Sequence, residues 1–569
     1  MMYTLFLCLR YLTRKKIVVF PILAVWLCVM MLIIVNSIMT GFVNRVRSAG
    51  RRLMSDVVIQ SRSAAGFPYY AQIQKRINRL PQVAASTPVV NAYGLFNLPN
   101  FQTSMGVEIV GIDPATQSQV SHFGADLFWQ HAAPLQAAAD LAQAQFPASR
   151  QSLLIYAQAR LKKAINLEEK LRKKLVAMPA ITPTTWFAAI RHHWQVITRE
   201  DWENANYAVD RSFRDLGYLR RLPANSTFAS DAALRRALVP RQVTFKPPPQ
   251  ARQRYASPAD EPTNGCIIGV DLGLYQKDRF GHYHRPADVR FSPAILTIVP
   301  VTLRSTLAMP QSHRFQIVDD CRTRVFTADS SQVYAPFKVV QKMAFMQRQD
   351  LLGGGTRPAR CSQIQIRVHG DSSHAAVVAA RAAIAAVVHK YARKHPRLQD
   401  AGLQIQTWDQ VQAQYIRAVD NERDLITFLL GLMSMVVVVV IFLIFFMIVR
   451  DKTRDIGIIK AIGGSEAGVG TIFLLYGLLI SAAGALPGML AGVEFVRHDN
   501  YIHDHILWRY FGISIWNRKI YIFSRIPDQV DMHAVITIVA LAILAGLVGA
   551  FIPALIASLQ DPVEALRYE

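Results

Sequence analysis

Three long uncharged stretches in the last third of the chain, residues 425–449, 467–493 and 534–560, restrict what it can fold into. At ~1.5 Å of rise per residue, each is long enough as a helix to cross the ~30 Å hydrocarbon core of a bilayer. A backbone in lipid has no water to bond to, so these stretches read as helices. Residues 17–43 make a fourth, uncharged and preceded by Arg14-Lys15-Lys16. A signal peptide shares that basic start, but its apolar region runs only ~7 to 15 residues to a small-x-small cleavage site. This stretch is much longer and ends in Asn36-Ser-Ile-Met-Thr-Gly-Phe42, so it reads as a retained span.

The expected fold is an α+β membrane protein, four transmembrane helices with a large extracytoplasmic α+β domain between helices 1 and 2. The expected boundaries are inner termini 1–16 and 561–569, spans 17–43, 425–449, 467–493 and 534–560, an inner loop 450–466, an outer domain 44–424 and an outer loop 494–533. Arg10, Arg14, Lys15 and Lys16, then Arg450, Lys452, Arg454 and Lys460, fit the positive-inside rule. Arg45, Arg47, Arg51 and Arg52 follow the first span on the opposite side. Long domains translocate largely regardless of charge, so the short loop is the better witness of orientation.

Within the outer region the texture changes twice. From 55 to about 117, β-type runs such as Val57-Val58-Ile59 alternate with turn signals such as Leu80-Pro81, as in an α+β domain. From 118 to 264 the chain is rich in Ala, Gln and Arg. There Leu154, Ala157, Leu161, Ile165, Leu171 and Leu175 recur at helical spacing, so 151–176 reads as one amphipathic helix. Strands resume from Gly265, at 266–270, 295–299, 315–318 and 364–368, and a helix is expected over 374–394. Residues 118–264 therefore read as an insertion. Of the net charge of +24, half falls between Arg150 and Arg254, where 20 Lys and Arg face 8 Asp and Glu. That surplus suits either an anionic lipid or acidic partner surface or a plain solvated face.

The chain resembles the permease subunits of lipoprotein-releasing ABC transporters, the LolC/LolE group within the wider MacB/FtsX type of macrolide-exporter and cell-division permeases. The residues that carry the resemblance are Leu9-Arg10-Tyr11-Leu12, Met39-Thr-Gly-Phe42, Leu80-Pro-Gln-Val83, Thr87-Pro-Val-Val90 and Gly111-Ile-Asp-Pro114 in the first part of the chain. Further on come Val333-Tyr-Ala-Pro-Phe337, Trp408, Asn421-Glu422, Asp455-Ile-Gly-Ile-Ile-Lys-Ala-Ile-Gly463 and the ending Asp561-Pro-Val-Glu-Ala-Leu-Arg-Tyr-Glu569. The departure is the insertion.

No Gly-x-x-x-x-Gly-Lys-Ser/Thr loop is present to cradle a nucleotide, and Gly353-Gly-Gly355 is followed by Thr-Arg-Pro. The chain is expected not to be an enzyme and to bind no cofactor itself, with ATP and magnesium on a partner ATPase. In the inner loop Ile456, Ile458, Ile459, Ala461 and Ile462 offer an apolar surface framed by Arg454, Asp455 and Lys460 and closed by Gly463. Such a helix can seat in a groove on the ATPase; the competing reading is an interfacial helix lying on lipid.

The resemblance implies a second permease subunit, identical or paralogous, a lipoprotein substrate, a periplasmic carrier and a bacterial inner-membrane location, with no nucleic acid. It also implies an apolar substrate cavity near Met39, Phe42, Val43, Leu425 and Phe428. The alternatives are an efflux permease of the macrolide-exporter type and a regulator of a cell-wall enzyme of the cell-division type.

The spans carry no Asp, Glu, His or Arg in their interiors, which argues against an ion-driven carrier. Gly484, Gly488 and Gly492, and likewise Gly546, Ala550 and Ala554, have the small-xxx-small spacing of close helix packing, either between spans three and four or between two subunits. His498, Asp499, His503, Asp504 and His505 lack a recognised zinc spacing, so no metal is expected. Cys266, Cys321 and Cys361 allow one disulfide, of undetermined pairing, while Cys8 and Cys28 read as apolar filler.

Overall fold

The computed structural model describes residues 19–144, 146–178, 186–240, 242–247, 264–277, 282–285, 289–300, 309–350, 356–370, 374–411, 413–451, 453–507, 526 and 529–559. The expected inner termini, Pro248 and Pro249 of the proline run, the Gly353–Gly355 turn and Cys8 lie outside these residues. The chain divides into a membrane unit, built from residues 1–45, 415–516 and 525–569, and a second unit formed mainly by 46–414.

The principal helices are α1 (Val19–Met54), α2 (Tyr70–Ile77), α3 (Arg150–Val176), α4 (Trp186–Arg221), α5 (His374–Ala392), α6 (Ala413–Asp451), α7 (Thr453–Ala461), α8 (Glu466–Tyr501) and α9 (Met532–Leu559). Length and hydropathy alone qualify α1, α5, α8 and α9 as spans. Helix α5 is the exception among them. Its Val377, Ala380, Ile384 and Val388 are buried in the core of the second unit, and its hydropathy of 1.4 is below the 2.0 to 2.8 of the others. The missing span is α6, which contains the whole uncharged stretch 425–449. Helices α1, α6 and α8 outrun their expected spans; at ~1.5 Å per residue each reaches ~54 Å or more, well beyond a ~30 Å hydrocarbon core.

In the membrane unit, α8 is gripped on two sides. A Cβ placed on Gly484 or Gly488 would lie 2.7 Å from the carbonyl oxygen of Ile22 or Trp26 on α1, and one on Gly492 would lie 3.2 Å from Ile33. The glycine stripe therefore faces span one, a pairing absent from the sequence reading. Span four takes another face of α8, where a side chain on Gly546 would collide with Ser481. Gly549 in turn brings α9 to within 3.1 Å of Val438 O on α6, again measured from a hypothetical Cβ. Small residues fix the neighbours in the order α1, α8, α9, α6, because only they let backbones approach this closely.

The second unit is organised by nine strands: β1 (Val57–Ser61), β2 (Val83–Leu98), β3 (Thr103–Ile112), β4 (Asn264–Gly269), β5 (Pro293–Ile298), β6 (Gln311–Cys321), β7 (Gln332–Pro336), β8 (Gln363–Val368) and β9 (Leu403–Thr407). Their order is β5-β6-β4-β7-β3-β2-β8-β1-β9, and β5 also pairs with β2. Strand β2 is long enough to serve two sheets. Its second half, from Val90, pairs with β3 and, through Gly94–Asn97, with β5, which closes a six-stranded ring. Its first half pairs with β8, which continues to β1 and β9.

The insertion leaves after β3 and returns at β4. It has its own core, in which Leu153 and Ala157 of α3 meet Leu216 and Leu219 of α4. The boundary expected at 118 falls inside a helix, Pro114–Val120, that belongs to the sheet: Asp113 caps its start and Gln117 Nε2 donates to Gln365 Oε1 at 2.8 Å. Strand β6 anchors the insertion, because Trp129 N and Gln130 N both donate to the Asp319 carboxylate, at 2.7 and 2.9 Å. Beside it, buried Arg285 pairs with buried Asp320 at 2.8 Å and lies over the Phe128 ring.

The disulfide that the three cysteines would allow is not formed. Cys266, Cys321 and Cys361 are buried thiols, with Cys266 and Cys361 in one apolar cluster and Cys321 in another. Burial pushes all three thiols up from their ordinary pKa and keeps them protonated.

Candidate functional site

The loop between the second and third spans folds into α7, a helix of two and a half turns. Thr453 opens it, its hydroxyl donating to Arg450 O at 2.8 Å. The end is a Schellman turn: Gly464 N donates to Ile459 O at 2.9 Å and Gly463 N to Lys460 O at 3.0 Å. Gly463 sits at φ +101, a conformation that L side chains rarely adopt, and a Cβ on Gly464 would lie 2.7 Å from Ile459 O. Ser465 follows at once as the N-cap of α8, its hydroxyl accepting from Gly468 N at 3.1 Å. The four residues between α7 and the third span, 462–465, are all used in the turn and the cap.

The apolar residues of α7 do not form one surface. Ile456, at 2 % exposure, is buried with Val449 of α6, Val469 and Phe473 of α8, and Ala554 and Ala557 of α9, and half-buried Ile459 packs beside them. Ile458 and Ile462, at 42 % and 82 %, and Ala461 are exposed. Positions 458, 461 and 462 follow the i, i+3, i+4 spacing of one helix face. Ile456 and Ile459, expected on the docking surface, instead hold the helix down. Lys460 is also drawn in, with its ammonium 3.9 Å from Glu466 and little of its side chain exposed. Arg454 remains exposed and Asp455 is half-buried. Helix α7 is thus fastened to the ends of three spans and presents a small apolar face outward.

The residues expected around a substrate cavity are distributed unevenly. Leu425 and Phe428 of α6 are exposed at 60 % and 69 %, whereas Met39 and Phe42 of α1 are half-buried and Val43 is buried. Val43 is packed within the unit rather than offered as a wall. What the sequence did not single out is the length of the open face on α6: Leu425, Phe428, Leu432, Met435, Val439 and Leu443 recur along one stripe and are all exposed. Near the far end of α8, His498 Nδ1 lies 3.1 Å from Glu494 O, and Asn500 binds both Asp499 and the backbone of Ile526. Among the described residues, no group of three or more His, Cys, Asp or Glu is placed to hold a metal.

Residues 427–562, which contain α7, match the FtsX-like permease C-terminal domain. The chain is 29% identical over 177 residues to the lipoprotein-releasing system transmembrane protein LolC of Neisseria meningitidis, covering 31% of this chain and 42% of that protein. It is 26% identical over 120 residues to LolE of Haemophilus influenzae, covering 21% and 29%. To the macrolide export ATP-binding/permease protein MacB of Nitrosomonas europaea it is 26% identical over 151 residues, covering 26% and 20%. The matches span less than half the length of these relatives. The periplasmic region of MacB from Actinobacillus actinomycetemcomitans aligns with 64% of the chain and 95% of its own, at a TM-score of 0.24 and 8% identity, too remote to carry an argument.

Proposed function

We propose that this chain is the permease subunit of an ABC transporter, driven by a separate ATPase that seats α7, and that its cargo is lipoproteins drawn from the bacterial inner membrane towards the outer membrane. The observation that carries the coupling is the division of α7 into an inner side clamped by three spans and an exposed face at Ile458, Ala461 and Ile462. An isolated apolar face of this size on a charged loop is suited to a groove on a protein partner. ATP and its magnesium belong to that partner. The long exposed stripe of α6 supports a second permease subunit or a lipidated substrate alongside it, since both are apolar. The cargo rests on similarity to proteins named as lipoprotein-releasing, and a soluble periplasmic carrier would take it onward.

The test is reconstitution of this chain with its ATP-binding partner and a fluorescent lipoprotein in proteoliposomes. ATP should release the lipoprotein to a soluble acceptor, and Ile458→Asp should abolish release while the chain still inserts. Release undiminished by Ile458→Asp would remove the coupling role. Intact coupling with no lipoprotein released, but export of a macrolide, would favour the exporter alternative.

A further inference from the structure

The second unit contains a polar cavity of about 160 Å³, well beyond the roughly 15 Å³ that one water requires. Its floor is a row of amides contributed by neighbouring strands: Gln60 of β1, Gln363 and Gln365 of β8, Asn91 of β2 and Gln332 of β7. Gln117, on the helix Pro114–Val120, roofs it. Two carboxylates, Glu108 and Asp126, also line it, and among the described residues no Lys, Arg or His does, although the chain carries a net charge of +24. An acceptor-rich, acidic hollow in so basic a protein selects by charge.

Two further observations point to the kind of ligand. Gln117 is 95 % buried, and its Nε2 donates to Ser121 and Gln365, which leaves Oε1 without a donor; Asn91 Oδ1 also lacks one. A buried acceptor without a donor is costly to leave unmet, so such a site favours a ligand rich in N–H groups. Phe123 and Tyr334, 4.9 Å apart, supply aromatic surface to the same cavity, and ring faces attract cations. Gln332 Nε2 donates to Glu108 Oε2 at 2.8 Å and accepts from Tyr334 through Oε1, so the carboxylate is held in place while its second oxygen stays open to a further donor.

We infer that this cavity binds a small organic cation bearing an ammonium or guanidinium group, with Glu108 as its counter-ion and the amide row as acceptors. The site is independent of the transport reading above. The probe is agmatine, which carries both groups, titrated calorimetrically into the full chain in zwitterionic lipid nanodiscs. The matched control is 4-guanidinobutanoate, similar in length but ending in a carboxylate. Agmatine should bind saturably and the control at least tenfold more weakly. Glu108→Gln should weaken agmatine about tenfold, and Asn91→Asp, which adds a carboxylate of the same shape at the lining, should tighten it several-fold. A gain of affinity cannot arise from misfolding, so Asn91→Asp decides the matter if Glu108→Gln proves unstable. No saturable agmatine binding, equal binding of the control, or affinity unmoved by both substitutions would mean a water-filled hollow and overturn the inference.

Discussion

Ile456 and Ile462 are separated by less than two turns of α7, yet one is enclosed by three spans and the other is bare. They should therefore respond differently to the same substitution. Ile456→Asp buries an unpaired carboxylate, which costs several kcal/mol as an order of magnitude, so the chain should lose melting temperature and yield. Ile462→Asp changes only an exposed position, so the melt should stay within roughly 1 °C while the ATPase no longer copurifies. Equal melts for the two variants, or retention of the ATPase by Ile462→Asp, would contradict the inward and outward assignment. At this scale the sequence marked the helix but not its facing. The run Ile-Gly-Ile-Ile-Lys-Ala-Ile puts apolar residues nearly all round the helix, and only packing by Val449, Val469, Phe473, Ala554 and Ala557 separates the faces. Gly463 and Gly464 were more legible, since paired glycines after a helical run mark an αL stop.

Among the elements, strands and helices followed their patterns closely, as β1, β8 and α3 illustrate, while the attachment of the insertion to β6 had no sequence signal. It depends on Asp319, which takes two backbone N–H groups of the insertion, and on Asp320, which holds Arg285 over Phe128; Asp329, in the short helix after β6, is a third buried carboxylate nearby. Asp329 accepts from Thr323 N and Oγ1 and from Arg324 N, at 2.7 to 3.0 Å. These bonds favour the charged form, but burial outweighs them and raises its pKa from 3.8 to about 7. Burial and the neighbouring Asp320 likewise raise Asp319 to about 7. A raised carboxylate pKa means that the folded chain holds more protons than the unfolded chain between pH ~4 and ~7. Stability from these groups is thus greatest below pH ~4 and falls as pH rises through that window. Asp329→Asn removes one of the titrations. Its melting temperature should fall less between pH 4.5 and 7.5 than the parent's, by roughly 2 °C or more, even if the variant starts lower for want of an acceptor. Parallel pH profiles for the two proteins would show that Asp329 is charged throughout.

For the whole molecule, the number of spans determines which side α7 occupies. Hydropathy admits α5 as a span, and with α6 that would make five. The residues between α6 and α8 would then lie on the same side as the domain that precedes α5. The packing argues for four, because the apolar face of α5 at Val377, Ala380, Ile384 and Val388 is already covered by the protein core, and Arg381 interrupts its middle. A helix satisfied by protein has no reason to enter lipid. Four spans would put α7 on the side of the membrane opposite the segment between α1 and α6, which the basic residues of the short loop favour. Two single-cysteine chains, with the native cysteines replaced, test this. In Met309→Cys the label site is an exposed residue of the large domain. In Thr453→Cys it begins α7, apart from the Ile458, Ala461 and Ile462 face. An impermeant maleimide applied to intact cells should modify Met309→Cys at once and Thr453→Cys only after permeabilisation. Modification of both from outside would bring α5 into the membrane, put α7 beyond the reach of a cytoplasmic ATPase and end the coupling mechanism.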